Sequence, residues 1–220
     1  MSLHFIREMK RLNKHLIELS DIVEEQVGQS IHAITDLDKF PAQKVIDEDS
    51  DVDRAEIEME EDCLKLLALH QPVANDLRLI ISVLKINSDL ERIGDHAVII
   101  AEEAITLTNL PNIDVPEQLF ELSAQARMML KKSMLAFVES DLDVANNVLV
   151  LGQNIRQLAE KIYRDQVECI KSSPQETEQR LSVLKVCRQL QRIADHATNI
   201  AEDIIFLMSG DIIRHNSSVY

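Results

Sequence analysis

Asp49 and Asp53 stand four residues apart, and so do Glu91 and Asp95. In a helix, side chains at this spacing share a face, because a turn takes about 3.6 residues. Each pair therefore offers two carboxylates side by side. If the two helices are neighbours, four carboxylates enter one small volume, and their repulsion calls for a cation between them. Oxygen donors of this kind suit hard or borderline cations such as Mg, Mn, Fe or Zn. The competing reading is a solvated acidic face, which an acidic helical chain carries in any case. His96 and His196 each follow an aspartate. They suit either donors behind a metal ligand or surface and packing roles, and spacing alone favours the latter.

The elements that must position these residues are helices. With 4 Gly, 5 Pro, no Trp and 3% aromatics, the 220 residues lack the frequent turn signals of a β sandwich. Pro41, Pro72, Pro111, Pro116 and Pro174 fall between periodic apolar segments and mark expected helix ends. Six helices result, over residues 2–38, 42–69, 73–108, 117–139, 142–171 and 175–209. In the third, Leu79, Val83, Ile86, Leu90, Ile93, Ala97, Ile100 and Ala104 recur in alternating three- and four-residue steps, which predicts a buried seam. Glu91, Asp95 and Glu102 lie roughly opposite it, facing solvent or another helix. The second helix has a seam of Val45, Val52, Ala55, Met59, Cys63 and Leu66, flanked by Asp49, Asp53, Glu56 and Glu60. Leu77, Ile80, Ile81 and Leu84 give the start of the third helix a second apolar side, which fits self-association or completion of the intramolecular core.

The chain repeats itself. Ser82-Val83-Leu84-Lys85 returns as Ser182-Val183-Leu184-Lys185, and Arg92-Ile93-Gly94-Asp95-His96-Ala97 as Arg192-Ile193-Ala194-Asp195-His196-Ala197, an offset of 192 − 92 = 100. Upstream, Asp38, Ala42 and Val45 match Asp141, Ala145 and Val148, an offset of 141 − 38 = 103. The expected architecture is all-α, a tandem pair of antiparallel three-helix bundles over residues 1–110 and 111–210, followed by a frayed tail at 211–220.

Composition excludes several classes. Against 38 acidic side chains there are 23 basic ones, a formal charge of −15, so nucleic acid is not an expected partner. No apolar run approaches the roughly 20 residues of a membrane span. Charges at Arg7 and Glu8 interrupt the stretch that a secretory signal would need, so a cytoplasmic location and no direct membrane insertion are expected. Cys63, Cys169 and Cys187 sit within helical patterns and read as reduced, buried thiols.

Asp76-Leu77-Arg78, the run Leu90-Glu91-Arg92-Ile93-Gly94-Asp95-His96-Ala97 with Ala101-Glu102, and its second copy ending in Asp195-His196-Ala197-Thr198-Asn199-Ile200-Ala201-Glu202 resemble the PhoU family of phosphate-transport regulators. The resemblance covers nearly the whole chain. It implies paired three-helix bundles whose E(D)xxxD motifs hold metal ions, with Asp49, Asp53, Glu91 and Asp95 as the ligands in the first repeat. It further implies a non-enzymatic, homodimeric negative regulator linking a phosphate ABC transporter ATPase to the sensor histidine kinase of the phosphate-starvation response. Its metal would be a divalent or trivalent ion such as Fe, Zn, Mn or Mg.

The second repeat departs from that pattern. The positions equivalent to Asp49, Asp53 and Glu91 are Gly152, Arg156 and Gln191, leaving Asp195 alone. A permanent arginine charge in place of a ligand argues against a metal there, so an asymmetric protein is expected. A di-metal enzyme of the four-helix type is disfavoured because neither Glu91 nor Glu102 has a histidine three residues on. An accessory of another phosphate carrier, or a helical adaptor without control of gene expression, is the remaining alternative.

Overall fold

A computed structural model of the chain describes residues 3–111 and 114–212. Among them are six α-helices and no strand: α1 (Leu3–Asp36), α2 (Lys39–His70), α3 (Ala74–Thr108), α4 (Glu117–Glu139), α5 (Leu142–Ser172) and α6 (Thr177–Ser209), with a 3₁₀ turn at Pro174–Glu176 before α6. The all-α expectation holds. The expected tail at 211–220 falls largely on residues 213–220, outside the described residues.

One expected boundary moves. Pro41 lies in the first turn of α2, not ahead of it. Backbone N–H groups of a first turn have no partner within the helix, so proline costs nothing there. What starts the helix is Asp38, whose carboxylate accepts a hydrogen bond from the Phe40 backbone N–H at 2.9 Å.

The same link is built twice. Leu37 and Ser140 both take a left-handed backbone, with φ of 50° and 53°. Each is followed by a capping aspartate, Asp38 or Asp141, whose N–H donates to Ala33 or Ala136 at 3.1 Å. Every one of these matches obeys the 103-residue offset read from the sequence. Asp141 accepts hydrogen bonds from the backbone N–H groups of Asp143 and Val144. Asp141→Ala is expected to remove about 1 kcal/mol of stability and to lower Tm by about 2–4 °C. Asp141→Asn keeps the acceptor and is expected to restore most of it, as calorimetry would read.

Helices α1, α2 and α3 pack on one another, as do α4, α5 and α6. The two trios meet chiefly where α3 lies against α6, and α1 also touches α4. Buried apolar side chains from all six helices form one continuous cluster. The expected seams account for it: Val83, Ile86, Leu90, Ile93, Ala97 and Ile100 on α3 are buried, as are Val183, Val186, Leu190, Ile193, Ala197 and Ile200 on α6. Ile80 is buried, Leu84 packs against the core and Leu77 is exposed. Part of the second apolar side of α3 is therefore used within the chain.

The α3–α6 crossing is antiparallel and its polar contacts come in related pairs. Lys85 Nζ lies 3.2 Å from Asp203 Oδ1, and Lys185 Nζ lies 2.9 Å from Glu103 Oε1. The 100-residue offset interconverts the two bridges, which gives the crossing a local pseudo-two-fold character. Near its centre the rings of His96 and His196 stand 5.4 Å apart.

Candidate functional site

The four carboxylates expected to act together come from neighbouring helices. Asp49 and Asp53 lie on α2, Glu91 and Asp95 on α3, and the two helices pack along their length. Asn87 helps to hold them in register, its side-chain amide donating to the Glu56 backbone carbonyl at 2.9 Å. Gly94 permits a close approach at the motif. A Cβ there would stand 3.3 Å from Gln26 Oε1, 3.4 Å from Val52 Cγ1 and 3.9 Å from Asp49 Oδ1.

Electrostatically these residues form one group. Burial pushes the Asp49 carboxyl above the usual aspartate range, and the charges of Asp53 and Asp95 add to the effect. Glu91 is raised by burial and then by Asp95, with Arg92 opposing and Glu56 and Asp53 contributing across the helix pair. Glu56 is raised by burial, then by Glu60 and Asp53, again against Arg92. Arg92 partly neutralises the ridge, lying 3.4 Å from Glu91 Oε2 and 3.2 Å from Asp95 Oδ2. All three raised carboxyls have lost water that their charged forms would want, and a cation would compensate that loss.

The donor chemistry suits an oxygen-loving cation. Gln26, on α1, is buried, and neither its Oε1 nor its Nε2 finds a protein hydrogen-bond partner. Its Oε1 points at the Gly94 notch beside Asp49. The carboxylates are not gathered to a point, however. Among the described residues, the group of three acid, imidazole or thiol side chains whose ligand atoms all fall within 4.8 Å of one another is His4, Glu8 and His70. The acidic ridge is thus a field of negative charge with an unsatisfied amide in it rather than a preformed cage.

In the second half the equivalent ridge is dismantled. Arg156 Nη2 lies 3.3 Å from Asp195 Oδ1, so the remaining motif aspartate faces the arginine in place of a second acid. Gly152 adds no side chain, and a Cβ there would stand 3.0 Å from Thr198 Oγ1. The two halves thus differ in their contacts at the motif positions, an acidic ridge in one and an arginine–aspartate pair in the other.

The motif histidines pack. His196 Nδ1 and Asp89 Oδ1 are 2.7 Å apart, and Asn199 donates to the same oxygen at 3.2 Å. Burial first, and the His196 ring second, lower the His96 pKa to about 4, so its ring is neutral at physiological pH.

The His4–Glu8–His70 trio was not singled out by motif reading, yet a signal for it exists. An antiparallel hairpin turning at Leu37 places residues opposite each other at equal distances from the turn. Since 37 − 4 = 33 and 37 + 33 = 70, His4 and His70 face each other.

Comparison with known proteins places the fold and motifs together. The PhoU domain pattern matches residues 16–104 and 119–204. The phosphate-specific transport system accessory protein PhoU homolog of Pseudomonas putida is 35% identical over 98% of this chain and 84% of its own. The crystal structure of PhoU from Pseudomonas aeruginosa superimposes with a TM-score of 0.90, at 34% identity, over 94% of this chain and all of the other. The phosphate transport system regulatory protein PhoU from Streptococcus pneumoniae gives 0.83 at 28% identity, over 94% and 98%. With its helical repeat, its paired acidic motifs and these full-length likenesses, the chain belongs to the PhoU family.

Proposed function

We propose that the protein is a cytoplasmic, non-enzymatic accessory of a phosphate transport system that holds phosphate uptake and the phosphate-starvation response down when phosphate is plentiful. The observation that carries this reading is likeness along nearly the whole chain to PhoU proteins, two of whose names tie them to a phosphate transport system. In this reading the protein connects the ATPase of a phosphate ABC transporter to a sensor histidine kinase, and it acts as a homodimer.

The physical basis is a docking platform. Helices of 31 to 35 residues make up most of each half and share a continuous core, so a contact made at one end is backed by a rigid body. None of the described helices is long and apolar enough to cross a membrane, which fits a partner that reaches the transporter from outside the bilayer. A net charge of −15 repels inorganic phosphate. Information about phosphate therefore reaches the protein through the conformational state of the transporter, which selects the contacts that form. The acidic ridge of Asp49, Asp53, Glu91 and Asp95 is the place for a metal ion in this reading, with Arg156 sparing the second half the need for one.

Deleting the gene tests the regulatory reading. Phosphate-regulon expression is expected to stay on in phosphate-rich medium and to be repressed again when the gene is restored. Repression that persists without the gene overturns regulon control and favours the accessory of a different phosphate carrier. Metal content of the purified chain is the companion measurement. Asp49→Ala/Glu91→Ala is expected to lower it, and equal content in both proteins would remove the metal from the ridge while leaving the transport role standing.

A further inference from the structure

We propose that His4, Glu8 and His70 form a second metal site, for one zinc-class dication that ties the first two turns of α1 to the last turn of α2. His4 Nδ1 and His70 Nε2 approach the same carboxylate oxygen, Glu8 Oε2, at 3.2 and 3.1 Å. Ligands at about 2.0–2.1 Å from a tetrahedral zinc are about 3.3 Å from each other, so the two measured edges already have the length that a shared ion requires. All three ligand atoms lie within 4.8 Å of one another.

Each ligand is positioned for its own reason. His4 and Glu8 are four residues apart on α1 and project from one face. His70 ends α2, and its ring packs 5.0 Å from that of buried Phe5. The neighbouring cations Arg11 and Lys65 turn to Asp62 instead, at 3.3 and 3.6 Å. Without an ion, two imidazoles must both direct a proton at a single oxygen. An ion replaces both protons and takes one lone pair from each of the three groups.

Two imidazoles and a carboxylate select the metal. Imidazole suits zinc, copper and nickel, whereas magnesium and calcium prefer oxygen alone. This separates the site from the all-oxygen ridge on α2 and α3. The side chains of His4, Glu8 and His70 are 71%, 36% and 23% exposed, so further coordination positions lie open to water, as in sites with three protein ligands. The second half has no counterpart, since adding 103 to 8 and 70 gives Pro111 and Ser173.

The test titrates Zn²⁺ into the chelator-stripped, tag-free full chain by calorimetry at pH 7.5, alongside His4→Ala, Glu8→Gln and His70→Ala. A high-affinity zinc-binding event is expected in the wild type that weakens at least tenfold in each of these variants and persists in Asp49→Ala/Glu91→Ala, where any ridge-bound zinc is lost. Co²⁺ in place of zinc is expected to give visible d–d absorption that the same three substitutions abolish. His4 is mostly exposed, so His4→Ala keeps the test interpretable if His70→Ala disturbs packing against Phe5. A wild type that takes up no zinc at micromolar concentration, or one whose affinity matches that of His4→Ala, overturns the proposal.

Discussion

At pH 8 a thiol reagent is expected to modify Cys169 in the native protein while Cys63 and Cys187 stay silent. Cys169 is partly exposed, and the other two are buried. Access is one barrier and ionisation another, because the thiolate is the reacting species. Burial, with the Asp62 and Glu60 charges behind it, pushes the Cys63 thiol from 9.0 to about 12. Burial alone pushes Cys187 from 9.0 to about 11. Below its pKa a thiol loses about tenfold in thiolate for each unit by which that pKa is raised, so Cys63 holds about a thousandfold less thiolate than an ordinary cysteine and Cys187 about a hundredfold less. Disulfide-exchange colorimetry is therefore expected to count one fast thiol in buffer and three in guanidinium chloride, and Cys169→Ser is expected to leave no fast thiol. Three thiols of equal rate in buffer would mean that the second and sixth helices, which carry Cys63 and Cys187, open far more readily than their packing implies. The sequence-based expectation of three buried thiols holds for Cys63 and Cys187 and fails for Cys169, which lies near the end of α5, where the helix leaves the core.

The fold was legible wherever local chemistry and global packing agree. The seams of α3 and α6 follow from spacing alone, since no other face of those helices is continuously apolar. The repeat could be read because it survives as identity in the motif and as capping chemistry in the link, where Asp38 and Asp141 keep the same job. Pro41 misled because proline signals the beginning of a helix as readily as its end, and only the Asp38 cap decides which. The tertiary crossing was hidden in plain arithmetic. Lys85 with Asp203 and Lys185 with Glu103 both sum to 288, the mark of two antiparallel helices related by the repeat, but a sum means nothing until α3 and α6 are known to touch.

The candidate site divides in the same way. Residues four apart on one helix were bound to be neighbours, so the pairs Asp49 with Asp53 and Glu91 with Asp95 followed from periodicity. That the two pairs interact across α2 and α3 required packing, and it shows in the influence of Asp95 on Asp49 and of Asp53 on Glu91. Gln26 was beyond reach, because a polar residue within the apolar face of α1 carries no mark of which neighbour it will meet. The replacement of an acid by Arg156 was readable, and the structure supplies its consequence: a salt bridge to Asp195 in place of a carboxylate ridge.

Replacing Leu90 by alanine is expected to cost about 3–5 kcal/mol, a large part of the roughly 5–15 kcal/mol that holds a domain folded. Leu90 is fully buried on α3, and the loss combines transfer of its side chain to water with the cavity left behind. Leu190 is its counterpart by the 100-residue offset and is 1% exposed. It borders a small apolar cavity lined by Ile34, Ile100, Leu119 and Val186, so Leu190→Ala enlarges an existing gap and falls in the same range. The more telling result concerns distance. Because α3 packs on α6 and the buried cluster is continuous, the damage at Leu90 is expected to reach beyond α1 and α2. Hydrogen exchange followed by mass spectrometry is expected to speed up in α5 as well as in α1 for Leu90→Ala, and in α1 as well as in α5 for Leu190→Ala. Exchange that rises only within the mutated half would mean that the halves open independently and that the α3–α6 contact is a hinge. If the protein relays a transporter's state to a second partner, as proposed, the first behaviour serves it, since a core that opens and closes as one couples the two helix trios.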